Sequence, residues 1–344
     1  MREAEGLKHK VECIRSGPAR RRTRQRPRKV TGVPANRTSR SSQVSSRVLV
    51  TGASGFVGSA LCAALVAAGH HVRSMTRRPQ SYSGAGDPVY GDASDPESLE
   101  AALRGVDAAY YLVHSLDDAN FEHKDAAAAR AFSTAAAAAG IGRIIYLGGL
   151  GRDDSELSPH LKSRREVEKL LAGDGVPVTV LRAAIVVGHG GISWEITRQL
   201  VAHLPVMVGP HWVTTKTQPI ALSDVVHYLV GVLEPEEALG RVYEVGGRDV
   251  LNYAEMMQRV ARIRFGRALP ILVVPLLTPG LSSRWLALVT DVNVATGRNL
   301  IDSMTNEVVV HDHAIEELVP GQTLGYDDAV RQALADRARA RKNR

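Results

Sequence analysis

The stretch "VLVTGASGFVGSALCAALVAAG", Val48–Gly69, decides the fold. A short β-branched run leads into Gly52, Gly55 and Gly58, and an apolar helix rich in leucine and alanine follows at once. Glycine allows a tight turn there and lets the backbone approach a pyrophosphate, while the first turn of the helix offers unpaired N–H groups and a partial positive charge. The spacing is G-x-x-G-x-x-G, and Gly52, Ser54, Gly55, Phe56, Val57 and Gly58 form the expected dinucleotide cradle.

Working outward, the chain from Arg47 alternates β-branched runs with helical segments. The runs are "RVLVT", "HHVRSMT", "PVYG", "AAYYLV", "RIIYLG", "PVTVLR" and "RVYEVG". Helices are expected near Gly55–Ala68, Asp95–Arg104, Asn120–Ala139, Ser158–Ala172, Ser193–Leu204 and Ser223–Leu233. This alternation builds a parallel sheet covered on both faces. The fold class is therefore α/β, a doubly wound parallel Rossmann sheet with a small, mostly helical C-terminal region on the substrate side. After Gly247, "LNYAEMMQRVARIRFG", "SSRWLALVT" and "NVATGRNLIDSM" are expected as helices, "EVVVHD" as a short strand, and a last helix from about Tyr326. The expected organisation is a basic N-terminal extension over 1–46, a Rossmann domain over 47–250 with a substrate-side insert at about 190–222, a helical region over 251–330 and a basic, frayed tail over 331–344.

The formal charge of +7 is unevenly placed. Residues 1–46 hold 13 of the 43 Lys/Arg and 3 of the 36 acids, so the remainder carries about −3 and no nucleic-acid partner is expected for the folded part. The extension is rich in Arg, Pro and Ser and lacks apolar periodicity, which predicts disorder; a solvated tail and an organelle transit peptide both fit it. The arm could also dock on nucleic acid or an anionic membrane, with steep salt dependence. Cys13 and Cys62 are too few for a disulfide framework, and a cytoplasmic location is expected. "LPILVVPLLTPGLSSRWLALVT" is interrupted by prolines, a glycine and Arg284, so no transmembrane segment is expected. A homo-oligomer is compatible with the sequence.

With its glycine spacing and strand order the chain resembles the short-chain dehydrogenase/reductase superfamily in its extended and atypical branches. The segments "RIIYLGGLG", "LSPHLKSRREVE" and the run from "VTVLRAAIVVG" through "QPIALSDVVHYL" resemble a bacterial NmrA-like or epimerase/dehydratase-like branch of NAD(P)H-binding proteins, over roughly residues 47–330. The end of the second strand selects the cofactor. It reads "SMTRRPQ", where a ribose 2′-hydroxyl would want an acid, and Arg77 and Arg78 suit a 2′-phosphate, so NADP(H) is expected over NAD(H). The resemblance implies that Asp92 and Ala93 meet the adenine. It also implies that Leu112, Val113, His114, Gly148 and Arg182 line the cofactor near the nicotinamide, at the carboxyl edge of the sheet.

The helix in "LSPHLKSRREVEKLL", Leu157–Leu171, carries His160 and Arg164 within its apolar arc. In the superfamily this helix usually bears a tyrosine and, four residues on, a lysine, with a hydroxyl residue at the end of the fifth strand. Here the matching positions are His160, Arg164 and the Gly148–Gly149 pair. His160 is the expected proton donor or acceptor and Arg164 the group that orients ribose or substrate; alternatively the helix only clamps the cofactor. Ser115, Gly149, Trp194, Arg198, Trp212 and Gln218 are the expected pocket for a small-molecule substrate. His311 and His313 share one face of the "VHDH" run without a third ligand, so no metal is expected. Hydride transfer with an unidentified organic substrate is the expected activity, and a non-catalytic dinucleotide sensor or assembly factor the alternative.

Overall fold

The computed structural model describes residues 45–115, 118, 120–153, 156–203, 207–273 and 294–342. The extension up to residue 44 and the expected "SSRWLALVT" helix lie outside the described residues.

Seven parallel strands form the central sheet: β1 Arg47–Val50, β2 His71–Thr76, β3 Asp87–Tyr90, β4 Ala108–Tyr111, β5 Arg143–Gly149, β6 Val178–Ala183 and the last strand Val242–Val245. Starting from that last strand, the order is β6, β5, β4, β1, β2, β3, so the order reverses between β1 and β4. Doubly wound sheets bind ligands beyond the carboxyl ends of the strands at such a reversal. The register brings Val50 beside Tyr110 and Gly148 beside Arg182, which places the ends of β4, β5 and β6 along one edge.

Helices α1 (Phe56–Ala67) and α6 (Leu222–Gly231) cover one face, and α2 (Pro96–Leu103), α3 (Phe121–Ala138) and α4 (Pro159–Leu171) cover the other. Alternation along β1 serves both layers: Val48 and Val50 enter the first core and Leu49 the second. Helix α4 starts as its sequence signals, since Ser158 Oγ accepts from Leu161 N at 3.4 Å and Pro159 occupies the first turn. Asp95 stands at the N-cap of α2 without a side-chain bond to the helix.

A third core lies beyond the sheet edge. It joins α5 (Ile192–His203) and α7 (Tyr253–Phe265) to the helices Val294–Ser303 and Tyr326–Lys342. Helix α7 is fixed by a capping box between Asn252 and Glu255 and by Gly266 in the left-handed conformation. The 190–222 insert and the residues after 250 thus share one core, and the expected division at 250 does not separate them. The expected frayed tail is also corrected, because residues 331–342 continue the last helix and Ala333 is buried. Of the expected "EVVVHD" strand, a single bridge from Val308 to Thr217 is observed.

Candidate functional site

The glycine loop joins β1 to α1. Gly52 takes φ +62°, and a Cβ on it would lie 3.3 Å from the Leu112 carbonyl oxygen at the end of β4. A Cβ on Gly58 would lie 2.2 Å from the Gly52 carbonyl oxygen, a contact no side chain can make. Thr51 ties the two strand ends together, donating from Oγ1 to the Tyr110 carbonyl at 3.0 Å and accepting from Leu112 N at 2.9 Å. Gly55 is the N-cap of α1 and brings no side-chain cap, and the first turn holds no acid. Its N–H groups and dipole end are therefore suited to an anion, and these residues fit a dinucleotide pyrophosphate. Ser54 is exposed beside them.

Beyond β2, Arg77 and Arg78 are exposed. Asp92 lies opposite, past β3, where its Oδ1 accepts from Ser94 Oγ at 2.6 Å and Ser94 N at 2.9 Å. Those bonds hold its carboxyl below the usual range, with a smaller contribution from the Arg77 charge. Ala93 is buried next to it. Past β4, Leu112 and Val113 are half-buried and His114 is exposed, while Ser115 N donates to Asp125 Oδ1 at 2.8 Å.

His160 and Arg164 come to this region but do not behave alike. The His160 ring packs against Phe121 at 6.4 Å between centroids, and its Nδ1 is buried with no partner among the described residues. Burial first, then the charges of Arg164 and His114, lower its pKa from 6.5 to about 3. Its surroundings therefore favour the uncharged ring over the imidazolium. Arg164 is buried and committed to the protein, donating to Asp125 Oδ2 at 3.0 Å and to the Tyr146 hydroxyl at 3.4 Å. Burial pushes the Asp125 carboxyl up, against the opposing pull of Arg164 and the bond from Ser115. This pair bolts α4 to α3 and to the loop after β4, while the buried Arg164 Nε has no partner among the described residues.

The end of β5 holds a second network. A Cβ on Gly148 would lie 3.0 Å from Glu168 Oε1, so the missing side chain makes room for that carboxylate. Glu168 accepts from Arg182 Nε at 3.1 Å, from an Arg182 terminal nitrogen at 2.8 Å and from Arg165 at 3.0 Å. Asp153 receives Arg182 at 3.1 Å and Arg165 at 2.7 Å. Arg165 also donates to the carbonyls of Gly149 and Gly151, at 2.8 and 2.6 Å. Arg182, expected beside the nicotinamide, therefore has all three nitrogens engaged, and Gly148 faces α4.

Several of the residues expected to wall the substrate pack or pair within the protein. Trp194 is 1% exposed inside the third core, and Trp212 meets Tyr253 edge-on at 5.7 Å. Gln218 donates to the Gly247 carbonyl at 2.8 Å and accepts from Val310 N at 3.0 Å, stapling two loops. Arg198 pairs with Glu195 at 2.7 Å. A Cβ on Gly149 would lie 2.8 Å from Leu161, which fixes the closeness of β5 to α4. The His311 backbone N–H donates to Glu244 at 2.7 Å, and the His313 ring Nδ1 meets Glu316 at 2.8 Å. Sequence inspection missed Asp125, Asp153, Arg165 and Glu168. Asp125 had a signal, since it shares the helical face of Ala129 and Phe132; the others are paired only by the fold.

Comparison with known proteins agrees with this geometry. Residues 52–207 match the NAD(P)H-binding family. The chain is 29% identical over 234 residues to (4-alkanoyl-5-oxo-2,5-dihydrofuran-3-yl)methyl phosphate reductase of Streptomyces griseus, covering 64% of this chain and 75% of that protein. It is 27% identical over 250 residues to sanguinarine reductase of Eschscholzia californica, covering 58% and 89%. The NADPH complex of the NADPH-dependent quinone oxidoreductase QOR2 from Escherichia coli superposes with a TM-score of 0.68 at 20% identity, over 83% of this chain and 98% of that one, a likeness of fold. With its reversed strand order, its glycine cradle and these relatives, the chain carries an NAD(P)H-binding region over residues 52–207 and is similar to the atypical branch of the short-chain dehydrogenase/reductase superfamily.

Proposed function

We propose that this protein is an NADP(H)-dependent oxidoreductase that reduces a small organic substrate. The observation that carries the proposal is the pairing of the uncapped α1 N-terminus with the exposed Arg77 and Arg78 at the carboxyl edge of the sheet. Two positive groups where an NAD site wants an acid favour the 2′-phosphate. The relatives named as reductases support the reaction class.

When bound, the cofactor would supply or take up hydride. The first turn of α1 would hold the pyrophosphate, Asp92 and Ala93 would border the adenine, and Leu112 to His114 would flank the reacting end. His160, neutral at working pH, would act by hydrogen bonding to a substrate oxygen, with the net proton drawn from solvent. Arg164 and Asp125 would position it from beneath.

The test is NADPH oxidation with a panel of quinones, enones and carbonyl compounds. Turnover with NADPH should exceed that with NADH, and His160→Ala should lower kcat while leaving the NADPH KM near its original value. Full turnover in His160→Ala would remove the histidine from the mechanism. A second reading, a dinucleotide-binding sensor without chemistry, is favoured by one observation: Arg182, expected at the reacting end, has all three guanidinium nitrogens engaged by Glu168 and Asp153. It predicts tight NADPH binding with no turnover of any acceptor.

A further inference from the structure

Away from the strand ends, three helices bring three arginines around one carboxylate. Glu195 stands in the first turn of α5. Its Oε2 accepts from Arg198 Nε at 2.7 Å and from Arg337, on the last helix, at 2.9 Å; its Oε1 meets His189 Nδ1 at 3.1 Å and Gly190 N at 3.4 Å. Both carboxylate oxygens are thereby occupied. Arg264, from the last turn of α7, donates to the Arg198 carbonyl at 3.0 Å and lies over the Phe265 ring at 5.0 Å. Among the described residues, Glu195 is the one carboxylate paired with Arg198 and Arg337, so two guanidinium groups share one negative charge while Arg264 is tied to the Arg198 backbone beside them.

The surplus is partly withdrawn from water. The side chains of Arg198, Glu195 and Arg337 are 11%, 18% and 23% exposed. Burial, then the charges of Arg198 and Arg337, lowers the Arg264 pKa, as expected of like charges held close together. Such a group is stabilised by an anion, and guanidinium forks match the oxygens of a phosphate.

The position of the cluster suggests what the anion accompanies. A Cβ on Gly188 or Gly191 would lie 3.0 or 2.7 Å from the Phe56 ring, so the loop capped by Glu195 rests against the first residue of α1. The cluster therefore neighbours the dinucleotide cradle and is separated from it by the Phe56 ring and this loop. We propose that Arg198, Arg264 and Arg337 form an anion-binding site that takes the phosphate group of a phosphorylated small molecule beside the bound dinucleotide. This assignment does not depend on hydride transfer.

The test uses the full chain saturated with NADPH. Inorganic phosphate and, separately, butyl phosphate are titrated at constant ionic strength made up with chloride, and the thermal midpoint is followed. A saturable rise is expected with both, with butyl phosphate binding at least as tightly as the free ion. Arg264→Gln should weaken the apparent affinity about tenfold, Arg264→Lys should keep it within about threefold, and neither should change the NADPH Kd. Arg264 makes no bond to Glu195, so the Glu195–Arg337 link to the last helix survives in both variants. An unsaturable rise, no rise at all, or an equal rise in Arg264→Gln would overturn the site. Binding of inorganic phosphate alone would overturn its assignment to an esterified ligand.

Discussion

Protonating His160 in the folded protein should be costly, and the cost can be measured as stability. Its pKa falls from an ordinary 6.5 to about 3 because the ring is buried beside Arg164 and His114. Unfolded chains bind a proton there below about pH 6.5, whereas the folded protein does not until about pH 3. The stabilisation is therefore complete above pH 6.5 and is lost progressively as pH falls toward 3. At pH 5, about 1.5 units below the unfolded pKa and still above the folded one, protonation favours the unfolded state by about 2 kcal/mol at roughly 1.4 kcal/mol per unit. The perturbation is His160→Gln, which keeps a polar side chain and removes the titration. Urea denaturation of both proteins at pH 8 and pH 5 isolates the difference, because every other titrating group is shared. Wild type should lose about 2 kcal/mol more than the variant over that interval. Equal losses in the two proteins would mean that His160 is not held neutral by its surroundings, and the assignment of a hydrogen-bonding, uncharged ring would fail with it.

Gly58→Ala should abolish NADPH binding measured by fluorescence, since its Cβ would sit 2.2 Å from the Gly52 carbonyl and must push α1 off the loop. Replacing Arg77 and Arg78 together by Glu should cost NADPH at least about tenfold in Kd with little effect on NADH, as isothermal titration would record; equal losses for both would exclude a 2′-phosphate role. Glu168→Leu should destabilise the fold by about 3 kcal/mol in urea, because Arg182 and Arg165 would both lose their buried partner. Trp194→Ala should cost about 3–5 kcal/mol of stability through loss of core packing. In that variant any remaining turnover should keep the wild-type substrate KM; a KM raised at unchanged stability would return Trp194 to the pocket wall.

The sheet and its cradle were legible because their signals are local. Alternating β-branched runs and a glycine triplet between strand and helix need no knowledge of distant residues, and the helices from Phe56 to Gly231 start and stop within two residues of their expected ends. The candidate site was legible only in part. Periodicity placed His160 and Arg164 on the inner arc of α4, yet it could not tell that Asp125, 39 positions away, would claim Arg164. Likewise the glycines at the end of β5 look in sequence like a lost hydroxyl, whereas the fold fills that room with Glu168 and Arg182. Aromatic and basic residues in the 190–222 segment matched a pocket wall by composition, but the burial of Trp194 depends on helices that arrive more than fifty residues later. The basic C-terminal stretch was misjudged for the same reason, since Arg337 is ordered by Glu195 from across the third core.

The central claim is hydride transfer from NADPH, and isotope transfer tests it most directly. The purified protein is incubated with NADPH deuterated at C4 of the nicotinamide together with a metabolite extract, and the products are searched by mass spectrometry. The account predicts a product one mass unit heavier than its unlabelled counterpart, present with wild type and sharply reduced with His160→Ala. Tight NADPH binding with no deuterium in any product would contradict it and leave a protein that binds the dinucleotide without using it.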